Sequence, residues 1–307
     1  MQGRTLLELM IAITIGIVIL GALIAVYLAT GTSGRQATAV SRMNEDAAIA
    51  FSFINSQLRM AGFSIPRKGV PPGGATVAGV LTSLPDRNFI GAGIRACDHG
   101  FTSSTAPFDA LACATGSIGA ATFAVRFEGA DPAGSDAFRF LLPANLDCLG
   151  QSVAGAAELT TGALGVSYPL VESRFSVGPN ASSGTSDLSC AGNGNSFDNQ
   201  PMVQNVADMR LRFGMAADGT SSNVVQYLNT AAEVDALGGS AHQNWSRVVT
   251  VRLCLLMRSA SASPADVGTS YIDCDGATAT ATDGFMRRSY VQTVALRNRG
   301  GFAATAP

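Results

Sequence analysis

The sequence predicts an α+β fold in which a long N-terminal helix packs on an antiparallel, β-rich C-terminal domain. Three observations lead there. An uncharged apolar run opens the chain from Leu9 to Ala29. A stripe of apolar residues at helical spacing follows it. The remainder breaks into short alternating apolar segments joined by Gly-, Ser-, Thr- and Pro-rich connections. Of the 307 residues, 47% are hydrophobic and only 14% charged, with 34 glycines. That composition is too apolar for a disordered chain and suits an exported domain with many turns. The formal net charge of −2 supplies no global field for nucleic acid or for acidic surfaces.

The run Leu9–Ala29 would span about 32 Å as a helix, close to the roughly 30 Å of a bilayer's hydrocarbon core. Its only nearby charge is Glu8, at the edge of a segment suited to lipid. An ionised group there is costly unless it is paired, neutralised or functional; a Glu at a helix mouth can also snorkel to the interface. A secretory signal peptide has a shorter apolar core, about 7–15 residues, with a small-residue cleavage site behind it. Here the run is longer and a helical pattern continues beyond it. Gly3-Arg4-Thr5-Leu6-Leu7-Glu8-Leu9-Met10-Ile11-Ala12-Ile13 resembles the class III signal of type IV prepilins. The resemblance implies that a prepilin peptidase cuts between Gly3 and Arg4 and methylates Arg4, that the apolar helix is retained, and that Glu8 pairs with the N-terminal amine of a neighbouring subunit. The leader Met-Gln-Gly is shorter than the family's and lacks its basic residues, and Arg4 stands where the family more often has an apolar residue.

Within the membrane helix, Ala12/Gly16 and Gly21/Ala25 are small pairs four apart, which allow close helix packing in lipid. Gly31 to Gly34 reads as a soft junction. Val40, Met43, Ala47, Phe51, Ile54 and Leu58 then recur at steps of three and four, one face of an amphipathic helix from about Gln36 to Ala61. Gly62 and Pro66 mark its stop. Unbroken, the two halves would make one helix of more than about 50 residues. The segment Gln57-Leu58-Arg59-Met60-Ala61-Gly62-Phe63 is similar to the end of the long helix in PilW-type minor pilins. Asn205–Gly214 and Val291–Asn298 resemble that family's internal and closing strands. The expected layout is a leader at 1–3, a transmembrane half at 4–30, an amphipathic half at 31–65 and a periplasmic β-rich domain at 66–307, with a pilin-like fold.

Strand candidates are Ala121–Glu128, Asp136–Leu142, Val166–Val171, Met209–Phe213, Arg247–Arg258 and Phe285–Asn298. In Val249-Thr250-Val251-Arg252-Leu253, the valines and leucine face one way and Thr and Arg the other. Ser182–Asn199 reads as a Gly/Ser/Asn-rich loop, and Ser259–Ala265 and Ala277–Asp283 as turns. All six cysteines, Cys97, Cys113, Cys148, Cys190, Cys254 and Cys274, follow the membrane segment. An even count beyond an exporting anchor indicates disulfides; the alternative is buried free thiols. Of the 15 possible connectivities, pairing of sequence neighbours is the default: Cys97–Cys113, Cys148–Cys190 and Cys254–Cys274.

Signals of enzymatic chemistry are sparse. Cys97-Asp98-His99 is too local to converge on one metal ion. His242 has no evident partner. Asp273-Cys274-Asp275-Gly276 lacks the glycine and terminal glutamate of a calcium loop and reads as a turn around a disulfide. Neither a nucleophile elbow nor a phosphate loop is present. Arg287, Arg288, Arg297 and Arg299 make the C-terminal stretch basic, which fits a solvated face or intersubunit ion pairs. No cofactor is expected.

The resemblance implies a structural, non-enzymatic minor pilin that primes type IV pilus assembly and supports twitching motility. Its partners would be other minor pilins, the major pilin and a tip adhesin, with the prepilin peptidase as processing enzyme. It would sit in the inner membrane with its C-terminal domain in the periplasm, and enter the pilus at or near the tip. The alternatives are a minor pseudopilin of type II secretion, whose signal is the same, and a membrane-anchored periplasmic enzyme or binding protein.

Overall fold

The computed structural model describes residues 6–64, 91–116, 119–130, 144–153, 160–161, 167–219 and 221–298. Gly3, Arg4, the strand candidate Asp136–Leu142 and Arg299 lie outside the described residues. Helix α1 (Leu6–Met60) is unbroken over 55 residues. The expected soft junction is therefore helical. Thr30 Oγ1 donates to Val26 O at 2.8 Å and Thr32 Oγ1 to Ala29 O at 2.9 Å, so these hydroxyls bond back onto their own helix. The chain forms two compact units, Met1–Glu45 and Asp46–Pro307.

The strands are β1 (Ile94–Cys97), β2 (Thr122–Glu128), β3 (Thr160–Thr161), β4 (Ser167–Tyr168), β5 (Leu170–Asn180), β6 (Thr185–Gly192), β7 (Asn199–Val203), β8 (Val206–Met215), β9 (Gln226–Leu228), β10 (Val248–Arg258), β11 (Ser270–Ile272), β12 (Thr278–Thr280) and β13 (Arg287–Ala295). Short helices α2 (Ala231–Asp235) and α3 (Ala241–Ser246) come between β9 and β10. Among the described residues, one sheet has the order β1-β2-β5-β6-β7 and a second the order β13-β10-β8-β9. Every ladder is antiparallel. This is the α+β architecture expected, an N-terminal helix with an antiparallel β domain.

Two stretches depart from expectation. The strand placed at Val166–Val171 runs instead from Leu170 to Asn180, with Ser167–Tyr168 a separate short strand. The apolar pattern fails at Glu172 and Arg174 because these charges are buried against each other, Arg174 Nε donating to Glu172 Oε1 at 2.6 Å. The supposed loop Ser182–Asn199 contains β6, which lies between β5 and β7 and buries Leu188 and Cys190. Its serines misled because they serve the turn and the outward positions. Buried Asp187 gathers that turn, accepting from Thr185 Oγ1 at 2.6 Å, Asn180 Nδ2 at 2.7 Å and Ser183 Oγ at 3.1 Å. Burial raises the pKa of that carboxyl, but the donors together hold it below its ordinary value.

Within the second unit, α1 buries Ala47, Ala50, Ile54 and Leu58, the stripe of an amphipathic helix, and Ala61 just past its end is buried too. Ala50 joins the expected positions and Phe51 is only half-buried. Full burial of Ile54 and Leu58 is worth about 1.5–3 kcal/mol each. Polar contacts fix the helix to both sheets. Ser173 Oγ on β5 donates to Gln57 Oε1 at 3.0 Å, and Asn55 Nδ2 donates to Gln292 Oε1 on β13 at 2.9 Å. The helix ends at Gly62, whose φ of 75° suits glycine. There Gly93 passes so close that a Cβ would come within 2.1 Å of Gly62 N. Phe123 stacks on Phe175 at 5.0 Å, and Phe213 meets Trp245 edge-on at 5.1 Å.

Candidate functional site

In the first unit the helix is exposed along its apolar run. Every large apolar side chain from Leu6 to Leu28 is exposed, and the mean hydropathy of its most apolar window is 2.9. Such a surface calls for lipid or for other apolar helices. Glu8 lies exposed in the first described turn of α1 and is the single charge between Leu6 and Gly34. The positive end of the helix dipole favours a carboxylate there. A cation brought to Glu8 within an apolar layer would be attracted across a weakly screening medium. The helix thus has the length and composition of a membrane anchor, with an acidic group at its head.

In the second unit, disulfides join Cys97 to Cys113, Cys148 to Cys190 and Cys254 to Cys274. The chain Cys97-Asp98-His99 points three ways. Cys97 is in its disulfide, Asp98 accepts from Ala231 N and Ala232 N at 2.8 and 3.2 Å, and His99 Nδ1 lies 3.3 Å from Gly119 O. Asp273 Oδ1 accepts from Asp275 N and Ala277 N at 3.0 and 2.8 Å, so Asp273–Gly276 is a side-chain-stabilised turn beside Cys254–Cys274. Among the described residues no group of three or more His, Cys, Asp or Glu is placed to hold a metal ion.

His242, for which the sequence offered no partner, has one. Its Nε2 lies 3.3 Å from Asp109 Oδ1. Asp109 in turn grips Arg126, whose Nη2 and Nη1 donate at 2.6 and 3.1 Å. Beside them Arg95 Nη1 donates to Asp235 Oδ1 at 2.6 Å, as does Trp245 Nε1 at 2.7 Å. Sequence reasoning missed this cluster because it joins two stretches, 95–126 and 235–245, that are more than a hundred residues apart. It joins β1, β2, α2 and α3, and holds the two short helices against the first sheet. Burial holds His242 below its ordinary 6.5; Asp109 pulls it up, while Arg126 and Arg95 push it down. A base with a lowered folded pKa is neutral in the fold while the unfolded chain takes up a proton. Stability is therefore lost as pH falls below about 6.5 towards the lowered value. His242→Gln should remove that part of the pH dependence, seen as a flatter denaturation midpoint between pH 7 and pH 5. Identical profiles for the two proteins would discount the histidine.

Residues 174–298 match the family model of PilW, described as type IV pilus-assembly protein W. The span includes β8 and β13, the strands carrying Asn205–Gly214 and Val291–Asn298. The PilW match supports a role in the type IV pilus, and the long apolar helix fits membrane anchoring in that setting. Among solved structures, a type IV-like pilin from Thermus thermophilus aligns with 84% of this chain and 98% of its own, at 13% identity and a TM-score of 0.37. No curated protein matches the chain.

Proposed function

We propose that this protein is a structural minor pilin that primes or supports type IV pilus assembly by packing its N-terminal helix among those of other pilins. The observation that carries the proposal is Glu8, a lone carboxylate at the head of an exposed apolar helix, in a chain whose residues 174–298 match the PilW family model. On this account a prepilin peptidase cuts after Gly3 and methylates Arg4. Glu8 then meets the new amine of a neighbouring subunit, and the β domain stands in the periplasm and travels to the pilus at or near its tip. The major pilin, other minor pilins and a tip adhesin are its partners, and no catalysis is assigned to it.

Mass spectrometry of the mature protein is the direct test. The expected N-terminus is Arg4 carrying one methyl group. A mature chain beginning downstream of Ala29 would show that the helix is discarded as a signal peptide, and the proposal would fall with it.

A further inference from the structure

Among the described residues the two main sheets end in four strands, and three of them offer a poor template for a further strand. β1 has four residues, β9 three, and β7 five with Pro201 inside it. Short strands and proline are ordinary ways of blunting a sheet edge. The fourth, β13, runs for nine residues with no proline and no register shift against β10. Its middle, Ser289–Ala295, carries no charge. Leu296 N, just past the strand, donates to Val249 O on the β10 side at 2.8 Å. Backbone groups alternate sides along a strand, so Val291, Thr293 and Ala295 turn their N–H and C=O groups to the open edge. All three residues are exposed, and those groups have no backbone partner among the described residues.

A groove of about 340 Å³ lies beside this edge, between β13 and the last turns of α1. Asn55, Arg59, Gln292, Thr293, Arg297 and Asn298 are among its walls, and no acidic side chain among the described residues lines it. Asn55 Nδ2 and Asn298 Nδ2 are used within the fold, donating to Gln292 Oε1 and Arg59 O at 2.9 and 2.6 Å. Asn55 Oδ1 is buried and has no donor among the described residues. Arg59 and Arg297 are exposed and make no ion pair among the described residues. The groove is therefore a basic pocket set against an unprotected strand edge.

We infer that β13 receives an extended segment of a partner protein as an added strand, with an acidic side chain of that segment seated in the groove that Arg59 and Arg297 line. In such pairing the main-chain hydrogen bonds supply affinity, and pockets beside the edge select the side chains. Arginine's planar fork suits bidentate capture of a carboxylate. An N–H brought in by the segment also satisfies Asn55 Oδ1, whose burial without a donor is costly. A second copy of this chain fits less well. Paired antiparallel about Gln292, each β13 would bring Arg287 and Arg288 against Arg297 of the other, and like charges opposed across a ladder destabilise it. Asp283 already holds Arg287, which softens that repulsion without removing the charge of Arg288. β13 and the groove belong to the second unit and do not involve Glu8, so this docking stands or falls independently of the membrane-helix proposal.

The test is in-cell crosslinking with the full chain. A photoreactive benzophenone amino acid replaces Val291 in one protein and Ala295 in another, and the crosslinked residues of the partner are identified by mass spectrometry. The expected result is one partner segment containing Asp or Glu. Its crosslinked residue should move by about four positions between the two placements, because paired strands advance residue by residue. Thr293→Pro removes one edge-facing N–H and leaves the β10 ladder whole, a change that an edge strand tolerates. It should lower both yields about tenfold, the scale of one unmade backbone bond, with the thermal midpoint unchanged. Arg297→Glu alters an exposed side chain beyond the strand, and should lower the yields by a smaller factor, again with the midpoint unchanged. Should Thr293→Pro fold poorly, the Arg297→Glu arm decides alone. No adduct, adducts only to a second copy of this chain, to nucleic acid or to lipid, crosslinks that stay in place between the two placements, or yields untouched by the deciding variant would overturn the inference.

Discussion

Cells carrying Glu8→Ala are expected to hold normal amounts of membrane-bound protein and to assemble few or no pili that depend on it. Removing the only charge between Leu6 and Gly34 makes the helix more apolar, so insertion should not suffer. The second unit is held by its own buried residues, Ile54, Leu58, Phe123 and Phe175 among them, and by three disulfides. Its folding should be indifferent to residue 8. What the substitution removes is the one group in the apolar segment able to meet a cation. In a weakly screening layer that attraction is strong, although desolvation offsets part of it. Glu8→Gln keeps the size and loses the charge, and should fail as Glu8→Ala does. Crosslinking to partner pilins and counting surface pili decide it. Wild-type pili and complexes from both variants would mean that Glu8 merely snorkels to the interface.

The parts of this molecule legible in sequence are those whose periodicity is long and single-faced. The two halves of the 55-residue helix and the central strand β10 follow from apolar runs and spacing, and the helix stop from Gly62 and Pro66, whereas the join at Gly31–Gly34 was not legible as helix. Legibility fails where polar residues are buried. Glu172, Arg174 and Asp187 break the alternation of β5 and β6, yet each is satisfied inside the fold by partners that spacing cannot reveal. α2 and α3 are too short to show a helical period; they depend on caps such as the Ser240–Gln243 box. The cluster of Asp109, Arg126 and His242 needs three distant segments to meet. Glu8 stands out in the sequence for the opposite reason: an isolated carboxylate beside an uncharged run is conspicuous with no tertiary context.

Replacing both Cys148 and Cys190 by serine should cost the β domain more than removing either other disulfide. In the chain-entropy account a bridge stabilises by restricting the unfolded chain, and the gain grows with the logarithm of the loop closed. The separations are 42 residues for Cys148–Cys190, 20 for Cys254–Cys274 and 16 for Cys97–Cys113. That relation gives about 4 kcal/mol for the first and about 3 kcal/mol for each of the others, as upper values. Position adds to the difference. Cys148 N donates to Ser173 Oγ at 3.0 Å, and Ser173 Oγ donates to Gln57 on α1. The bridge therefore anchors the 144–153 segment both to β6 and to the strand that holds the helix. Asp147 opposes a complete loss, because it still accepts from Leu149 N, Gln151 N and Gly194 N at 2.9, 2.9 and 3.0 Å. The expected drop in thermal midpoint is about 8–16 °C for the Cys148/Cys190 double variant, since 1 kcal/mol is worth about 2–4 °C in a domain of this size. The unmutated protein should show no reactive thiol when denatured without reductant. Six labelled thiols there, or equal losses from all three double variants, would contradict this account of what staples the domain.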